Sequence, residues 1–348
     1  MTIYKIIVDS RQLRIVDSHN MSMRKTIRLL LCANLAAFTA MAAQKNPTPS
    51  QVNPERDLGR LTALEQNGLY AQVMEPLAQL IRSNALNERE SGRAQLLLGI
   101  AYHQQGELAQ AQSAYEKALH ILWRSPNEAA DHASALDNFA RLSLDTGHPD
   151  TALRMETGAL KEYEGLSDHA DIARSCATLA SLEISRGHRR RGKEYLSRAL
   201  KDADLAIGLD RDFYAAVSSA QGWLALLNKD TATAIAAYSH AVELWSDAQG
   251  EHHMLTGWGY MLLGQSYAQA GQYDEALQQM RKGLNILDQA IGTSDPKYLA
   301  AQISYSQVLD RSGEHDEAVR IRNSAQQALR RLSRDACADC TVSAFALH

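Results

Sequence analysis

The stretch GIAYHQQGELAQAQSAYEKAL, residues 99–119, has a glycine near its middle and small residues at fixed distances on either side. The same arrangement returns five times later in the chain. The turn residues are separated by 41, 40, 42, 42 and 42 positions: Gly106, Gly147, Gly187, Lys229, Gly271 and Gly313. A catalytic or binding motif is expected once, whereas a packing unit recurs at a constant period. This stretch is therefore a packing unit.

Three further columns of small residues keep the same five intervals. One column precedes the turn, and two follow it: Gly99, Ala140, Ala180, Gly222, Gly264, Ser306; Ala111, Ala152, Gly192, Ala234, Ala276, Ala318; and Ala118, Ala159, Ala199, Ala241, Gly283, Ala325. Small residues at fixed points let neighbouring helices approach closely. The columns predict an antiparallel pair of helices, at about 92–105 and 108–124 in the first clear repeat.

A weaker helix pair precedes the first clear repeat, at residues 61–81, where Gly68 lies 38 positions before Gly106. This gives about seven helix pairs in all. One pair cannot bury its apolar face alone, so neighbouring pairs must stack around one continuous core. The sequence therefore predicts an all-α solenoid over residues 57–334.

Composition sets the broad class of the protein. Of 348 residues, 45% are hydrophobic, which is typical of a chain that folds around a core. The formal net charge is −4, and HRRRGK at 188–193 is the one basic cluster, which we interpret as a solvated turn. Because phosphate binding needs a basic surface, this balance argues against nucleic acid as the main partner.

The first 42 residues are expected to be an over-long start followed by a secretory signal peptide. From Met23 the sequence runs through a basic region, an apolar run and a small-residue pattern that suits cleavage near Ala42/Ala43. We expect no membrane span after cleavage, and a periplasmic or secreted protein. Residues 43–56, which are rich in proline, are predicted to be a flexible spacer.

The segments LGIAYHQQGELAQAQSAYEKAL (98–119) and LGQSYAQAGQYDEALQQMRKGL (263–284) resemble the small–tyrosine–glycine–alanine signature of tetratricopeptide repeats. The period near 42 resembles the kinesin-light-chain type of that family. The resemblance implies a right-handed superhelix that binds peptides or proteins. The fourth repeat departs from the pattern, since Lys229 replaces the turn glycine and Gln221 takes a usually apolar position.

The sequence holds no pattern that predicts an enzyme, a cofactor or a metal site. GQSYA (264–268) approaches a nucleophile elbow, but Ala268 stands where the second glycine is required. The run Glu251-His252-His253 lacks a third ligand at usable spacing and is interpreted as a solvated loop. We therefore expect a non-enzymatic protein with a protein or peptide partner, and nothing indicates a small-molecule ligand.

In tetratricopeptide folds the first helix of each pair lines the concave face. Counting from the small-residue columns places these residues there: Asn138, Arg141, Arg174, Thr178, Ser181, Trp223, Gln265 and Gln307. The resemblance implies that Asn138 hydrogen-bonds a peptide backbone. The arginines would bind an acidic side chain or terminus, and Trp223 would be an apolar anchor. Alternatively, the polar residues only solvate an exposed face and Trp223 only packs.

The cysteines beyond residue 42 fall into two groups, a pair in the C-terminal tail and one at a core position of a helix. Cys337 and Cys340 form a C-x-x-C in the tail, residues 335–348. A disulfide between them is expected in an exported protein, while free or partner-linked thiols and metal binding remain open. Cys176 lies at a usual core position and is predicted to be buried and inert.

Three classes of function fit these observations. The first is an interaction scaffold or adaptor of an export compartment that binds a peptide or protein segment in its concave groove. The second is a structural assembly component of an envelope complex. The third is a regulatory sensor that acts on a separate enzyme.

Overall fold

The computed structural model of the protein describes residues 54–123 and 129–335. This part of the chain is built from helices joined by short turns, without strands. Their bounds are α1 Pro54–Gln66, α2 Tyr70–Arg82, α3 Glu88–Gln104, α4 Leu108–Leu122, α5 Ala129–Asp145, α6 Pro149–Leu166, α7 His169–Ser185, α8 Arg189–Ala203, α9 Arg211–Leu227, α10 Thr231–Gln249, α11 Met254–Gln269, α12 Tyr273–Ile291, α13 Pro296–Ser312 and α14 His315–Asp335.

The helices form seven hairpins, from α1–α2 to α13–α14, as the period predicts. Within each pair the helices pack along their length, and each second helix also packs against the first helix of the next pair. The core therefore continues from repeat to repeat. This confirms an all-α solenoid.

The N-terminal boundary differs slightly from the prediction. α1 begins at Pro54, so residues 54–56 are helical although they were expected in the spacer. Proline suits the first position of a helix because its missing N–H has no intrahelical partner there. Glu55 and Asp57 in the first turn favour the helix dipole. The signal segment, and Cys337 and Cys340 in the tail, lie outside the described residues.

The predicted turn positions adopt the left-handed backbone conformation. Gly106, Gly147, Gly187 and Gly271 have φ between +76° and +82°. Lys229, which departs from the glycine pattern, keeps the same turn with φ of +59°. Lysine in place of glycine therefore changes the energy of the turn rather than its geometry.

A helix cap accompanies this departure. The Asp230 carboxylate accepts a hydrogen bond from the Thr233 N–H at 3.1 Å. The residues at the same position before α4, α6, α8 and α12 make no such side-chain bond. A cap of this kind contributes about 1 kcal/mol, which offsets the strain at Lys229.

Replacing Lys229 by glycine should raise the free energy of unfolding by about 1 kcal/mol, because a side chain in the left-handed region costs about 1–2 kcal/mol that glycine avoids. Thermal unfolding of the purified protein measures the change. Lys229→Ala is the control, since it removes the ammonium group but keeps the strain. Equal melting temperatures for the two variants would contradict this account.

The small-residue columns mark the tightest contacts inside each hairpin. A methyl group on Gly99 would lie 2.6 Å from the Tyr115 ring, and one on Gly222 would lie 2.8 Å from the ring of Tyr238. Glycine is needed there because a large side chain of the second helix crosses the first helix. Cys176 is fully buried, as predicted, and burial raises the pKa of its thiol to about 12.

Candidate functional site

The first helices of successive repeats form one layer of the solenoid. They contact each other at α1–α3, α3–α5, α7–α9, α9–α11 and α11–α13. Among the described helices, the second helices of neighbouring repeats make no contact of comparable extent. Helices that lie closer together form the inner side of a curved stack. The first helices therefore line the concave face.

A cleft of about 620 Å³ opens on this layer, mainly between α9 and α11. We call it the tryptophan cleft, because three of the four tryptophans line it. Tyr238 and Trp245 of α10 are 1% and 7% exposed and form its floor. Its walls include Ser181, Ala216, Trp223, Leu227, Trp258, Leu262, Gln265 and Gln269.

Glycines in the first helices allow the floor to form. Gly222 of α9 lies against the ring of Tyr238, and a methyl group there would be 2.8 Å from it. Gly259 of α11 lies against Trp245, and a methyl group on Gly259 would be 3.1 Å from the Trp245 ring. Burial raises the pKa of the Tyr238 hydroxyl, so the floor is uncharged at neutral pH.

Amide side chains bridge the helices around the cleft. Gln269 donates to the Leu226 carbonyl at 3.1 Å and so connects α11 to α9. Gln265 donates to the Ser304 hydroxyl at 2.7 Å and connects α11 to α13. Lys229 is the single charged residue among the described lining residues, and no described carboxylate forms an ion pair with it. The site is therefore apolar, with amides and one cation at its margin.

The structure brings three of the eight predicted groove residues together here. Ser181, Trp223 and Gln265 line the tryptophan cleft. Thr178 lies one turn before Ser181 on α7, and its hydroxyl donates to the Arg174 carbonyl at 3.2 Å. Gln307 is exposed on α13, away from the cleft.

The remaining predicted residues lie on α5 and α7 and already have partners. Asn138 donates to the Ser134 carbonyl at 2.9 Å. Arg141 donates to Asp137 at 2.6 Å, and Arg174 donates to Asp171 at 3.0 Å. Part of the donor capacity of these side chains is therefore already used within the same helix. Their roles in binding stay predictions.

Most residues of the cleft were not predicted from the sequence. Trp258 lies 13 residues before Gly271, just as Arg174 lies 13 residues before Gly187. The rule that selected Arg174 therefore also selects Trp258. Tyr238 and Trp245 belong to a second helix, and a count restricted to first helices cannot find them.

A buried carboxyl lies beneath the same layer two repeats earlier. Glu156 is nine residues after Gly147, as Tyr238 is nine residues after Lys229. Its side chain is fully buried, and neither oxygen has a hydrogen-bond partner among the described residues. Burial and the nearby charge of Asp137 raise its pKa to about 9. Glu156 is therefore protonated at neutral pH.

Residues 54–123 and 129–335 contain no group of three or more histidine, cysteine, aspartate or glutamate side chains placed to hold a metal ion. None of the helices there combines the length and the apolar character needed to cross a membrane.

Comparison with protein families gives two matches, both described as tetratricopeptide repeat, at residues 58–126 and 224–289. No curated protein matches the sequence.

Solved structures share the fold at low identity. The APC/C hetero-tetramer Cut9–Hcn1 is 18% identical, with 91% of this chain and 52% of that chain aligned at a TM-score of 0.59. This chain thus spans about half the length of that relative. Apo RapI is 10% identical, with 81% and 99% aligned at 0.63. A Rap protein complexed with competence and sporulation factor is 12% identical, with 81% and 99% aligned at 0.53.

Proposed function

We propose that this chain, which is a tetratricopeptide-repeat protein, is an interaction scaffold that binds an extended segment of a partner protein along its first helices. A large apolar side chain of that segment is anchored in the tryptophan cleft. The observation that carries the proposal is the meeting of Trp223 and Trp258 over a floor of Tyr238 and Trp245.

The chemistry of the cleft suits such an anchor. Binding sites are typically concave and largely apolar, with a few polar groups that fix orientation. Aromatic rings supply the contact area that dominates binding energy. Gln265 and Gln269 can each donate and accept a hydrogen bond, which matches the main chain of an extended peptide. The cleft therefore holds one side chain and part of its backbone.

The inner layer offers room for a longer segment. Ser181 and Thr178 continue from the cleft along α7, and Arg174 lies one further turn away. Asn138 and Arg141 extend the same layer onto α5, while Gln307 extends it onto α13. Two of the solved neighbours are complexes, Cut9 with Hcn1 and a Rap protein with competence and sporulation factor. This shared fold supports binding as the role of the layer.

The proposal also includes an export compartment. The order of basic, apolar and small residues before Ala43 supports secretion. The partner would then be periplasmic or extracellular, and the scaffold would act there without catalysis of its own.

The test is selection of peptides from a displayed random library on the purified protein. Wild type should enrich peptides that share a large apolar residue. Ala216→Arg should abolish that enrichment, because Ala216 is exposed at the wall of the cleft and an arginine there obstructs it. The substitution removes no buried contact, so the helical content should be unchanged.

Ala236→Arg is the matched control, since Ala236 is also exposed but lies on α10 outside the cleft. It should retain the selected peptides. Equal retention by the two variants would reject the cleft as the binding site and favour the assembly-component function instead.

A further inference from the structure

A second cavity, of about 950 Å³, lies on the opposite layer of the solenoid. It opens between the second helices α4 and α6, with α5 beneath. Its lining includes Leu119, Trp123, Leu136, Met155, Gly158 and Glu162. Two of them, Trp123 and Gly158, depart from the repeat pattern, and both line this cavity.

The first departure is Trp123, which is 73% exposed. It lies 17 residues after its turn residue, Gly106. The five later repeats have charged or hydroxyl side chains at this position: Glu164, Asp204, Ser246, Asp288 and Arg330. An indole ring therefore stands at the rim where the fold otherwise places polar groups.

The second departure is Gly158, 11 residues after its turn residue, Gly147. The other repeats have longer polar side chains at this position, most of them basic: Lys117, Arg198, His240, Lys282 and Ser324. Two of these cover the first helix of their own repeat. His240 lies 3.1 Å from the Ser218 hydroxyl, and Lys282 donates to the Tyr260 hydroxyl at 2.5 Å.

Without a side chain at position 158, the corresponding residue of α5 is uncovered. That residue is Leu136, which lines the cavity. A methyl group on Gly158 would lie 3.3 Å from the end of the Leu136 side chain. The cavity thus lies at the position where His240 and Lys282 contact the first helix of their own repeats.

Arg198 of the next repeat indicates what fits there. Its guanidinium lies 2.6 Å from Glu164 and 3.6 Å from Asp202. Relative to the turns, Glu164 corresponds to Trp123, and Asp202 corresponds to Glu162. The cavity therefore keeps a carboxylate at one of the two positions and has an aromatic ring at the other. Both attract a guanidinium.

We propose that this cavity is a socket for one arginine side chain of a partner protein. The aliphatic stem lies over Leu136 and Met155, and the planar guanidinium lies against the Trp123 ring and beside the Glu162 carboxylate. The His132 ring, whose centroid is 5.6 Å from that of Trp123, borders the same space. His132 holds that carboxylate in place, with Nδ1 at 2.7 Å from one oxygen and 2.9 Å from the other.

The other titratable residues at the socket limit the partner. Lys161 lies on the same helix as Gly158 and is exposed at the rim, and His120 lies on α4. Because Lys161 repels a second cation, the socket accepts a single arginine rather than a run of basic residues. A carboxylate beside that arginine in the partner would complement Lys161.

The test uses the tripeptide acetyl-Ala-Arg-Ala-amide and its citrulline counterpart, which has the same shape but no charge. The probe is the indole N–H signal of Trp123, assigned by its loss in Trp123→Phe. The arginine peptide should shift this signal and saturate at millimolar concentration, while the citrulline peptide should bind at least about tenfold more weakly. Equal responses to the two peptides would overturn the proposal.

Gly158→Arg supplies the side chain from within the chain, and Gly158→Gln is its neutral control. The arginine variant should move the Trp123 signal without peptide and weaken the peptide response by about tenfold or more. The glutamine variant also covers Leu136 but cannot form an ion pair with Glu162, so it should weaken the response less. An undiminished response in Gly158→Arg would contradict the socket.

The segment 124–128 follows Trp123, lies outside the described residues, and contains Arg124. Arg124→Gln distinguishes a partner from this neighbour in the chain. An unchanged peptide affinity supports a partner. A rise of about tenfold would show that Arg124 fills the socket itself, and would overturn the proposal of a partner.

Discussion

Gly264→Ala should lower the melting temperature, with a loss of about 1–3 kcal/mol in the free energy of unfolding. The added methyl group would lie 2.3 Å from the Met280 side chain and 2.8 Å from the backbone oxygen of Ala276. A backbone atom cannot rotate away, so α11 and α12 must separate. Alanine favours a helix over glycine by about 1 kcal/mol, and the steric cost outweighs this gain.

Gly59→Ala is the matched control, because Gly59 also lies within a helix but has nothing within 4 Å of an added methyl group. It should raise the stability by up to about 1 kcal/mol. Amide hydrogen exchange should show that the loss in Gly264→Ala is greatest in α11 and α12, since each repeat contacts only its neighbours. If the free energy of unfolding changed with the same sign in both variants, the packing role of the small-residue column would be refuted.

Glu156→Leu should stabilise the protein by about 1–3 kcal/mol below pH 4.5 and by more at pH 8, because it removes a buried polar group that has no hydrogen-bond partner among the described residues. Leucine fits the position, since Leu196 occupies it in the next repeat and is buried there. The ion pair of Arg141 with Asp137 remains in the variant. Chemical denaturation at several pH values measures the effect.

The raised pKa of Glu156 makes the free energy of unfolding depend on pH. The pKa of Glu156 is about 9 in the folded protein, against an ordinary value of 4.5. Between these values the folded state binds the proton that the unfolded state has lost, so stability falls as pH rises from 4.5 towards 9. The advantage of Glu156→Leu should therefore grow over this range and be smallest below pH 4.5.

Glu156→Gln keeps the size and polarity of the side chain but cannot ionise. It should lose the same pH-dependent component as Glu156→Leu while gaining less stability. A difference between wild type and Glu156→Leu that stays constant from pH 5 to pH 9 would mean that Glu156 is not held protonated by its surroundings.

Much of the fold could be predicted because the same helix pair recurs along the chain at a nearly constant period. Four columns with identical intervals fixed the turn positions and the number of helix pairs. They also placed Cys176 in the core, where the structure has it. The backbone conformation at Lys229 could not be predicted, since a single departure from glycine does not reveal whether the turn keeps its left-handed φ.

The candidate site was predicted only in part. Register, together with the resemblance to tetratricopeptide repeats, placed Ser181, Trp223 and Gln265 on the inner layer, and these line the tryptophan cleft. The same rule also selected Asn138 and Arg141, whose donors are engaged within α5. Periodicity assigns a face to a residue, but it does not tell whether a neighbour on that face already holds the side chain.

The sequence by itself determined the helix pairs, their turns and the face that each first helix presents, because these depend on local spacing that repeats along the chain. Only the tertiary structure decided where cavities open. The tryptophan cleft depends on how far α9 and α11 separate above Tyr238 and Trp245, and the socket depends on a missing side chain at Gly158. Both are relations between residues of different helices, which no single period encodes.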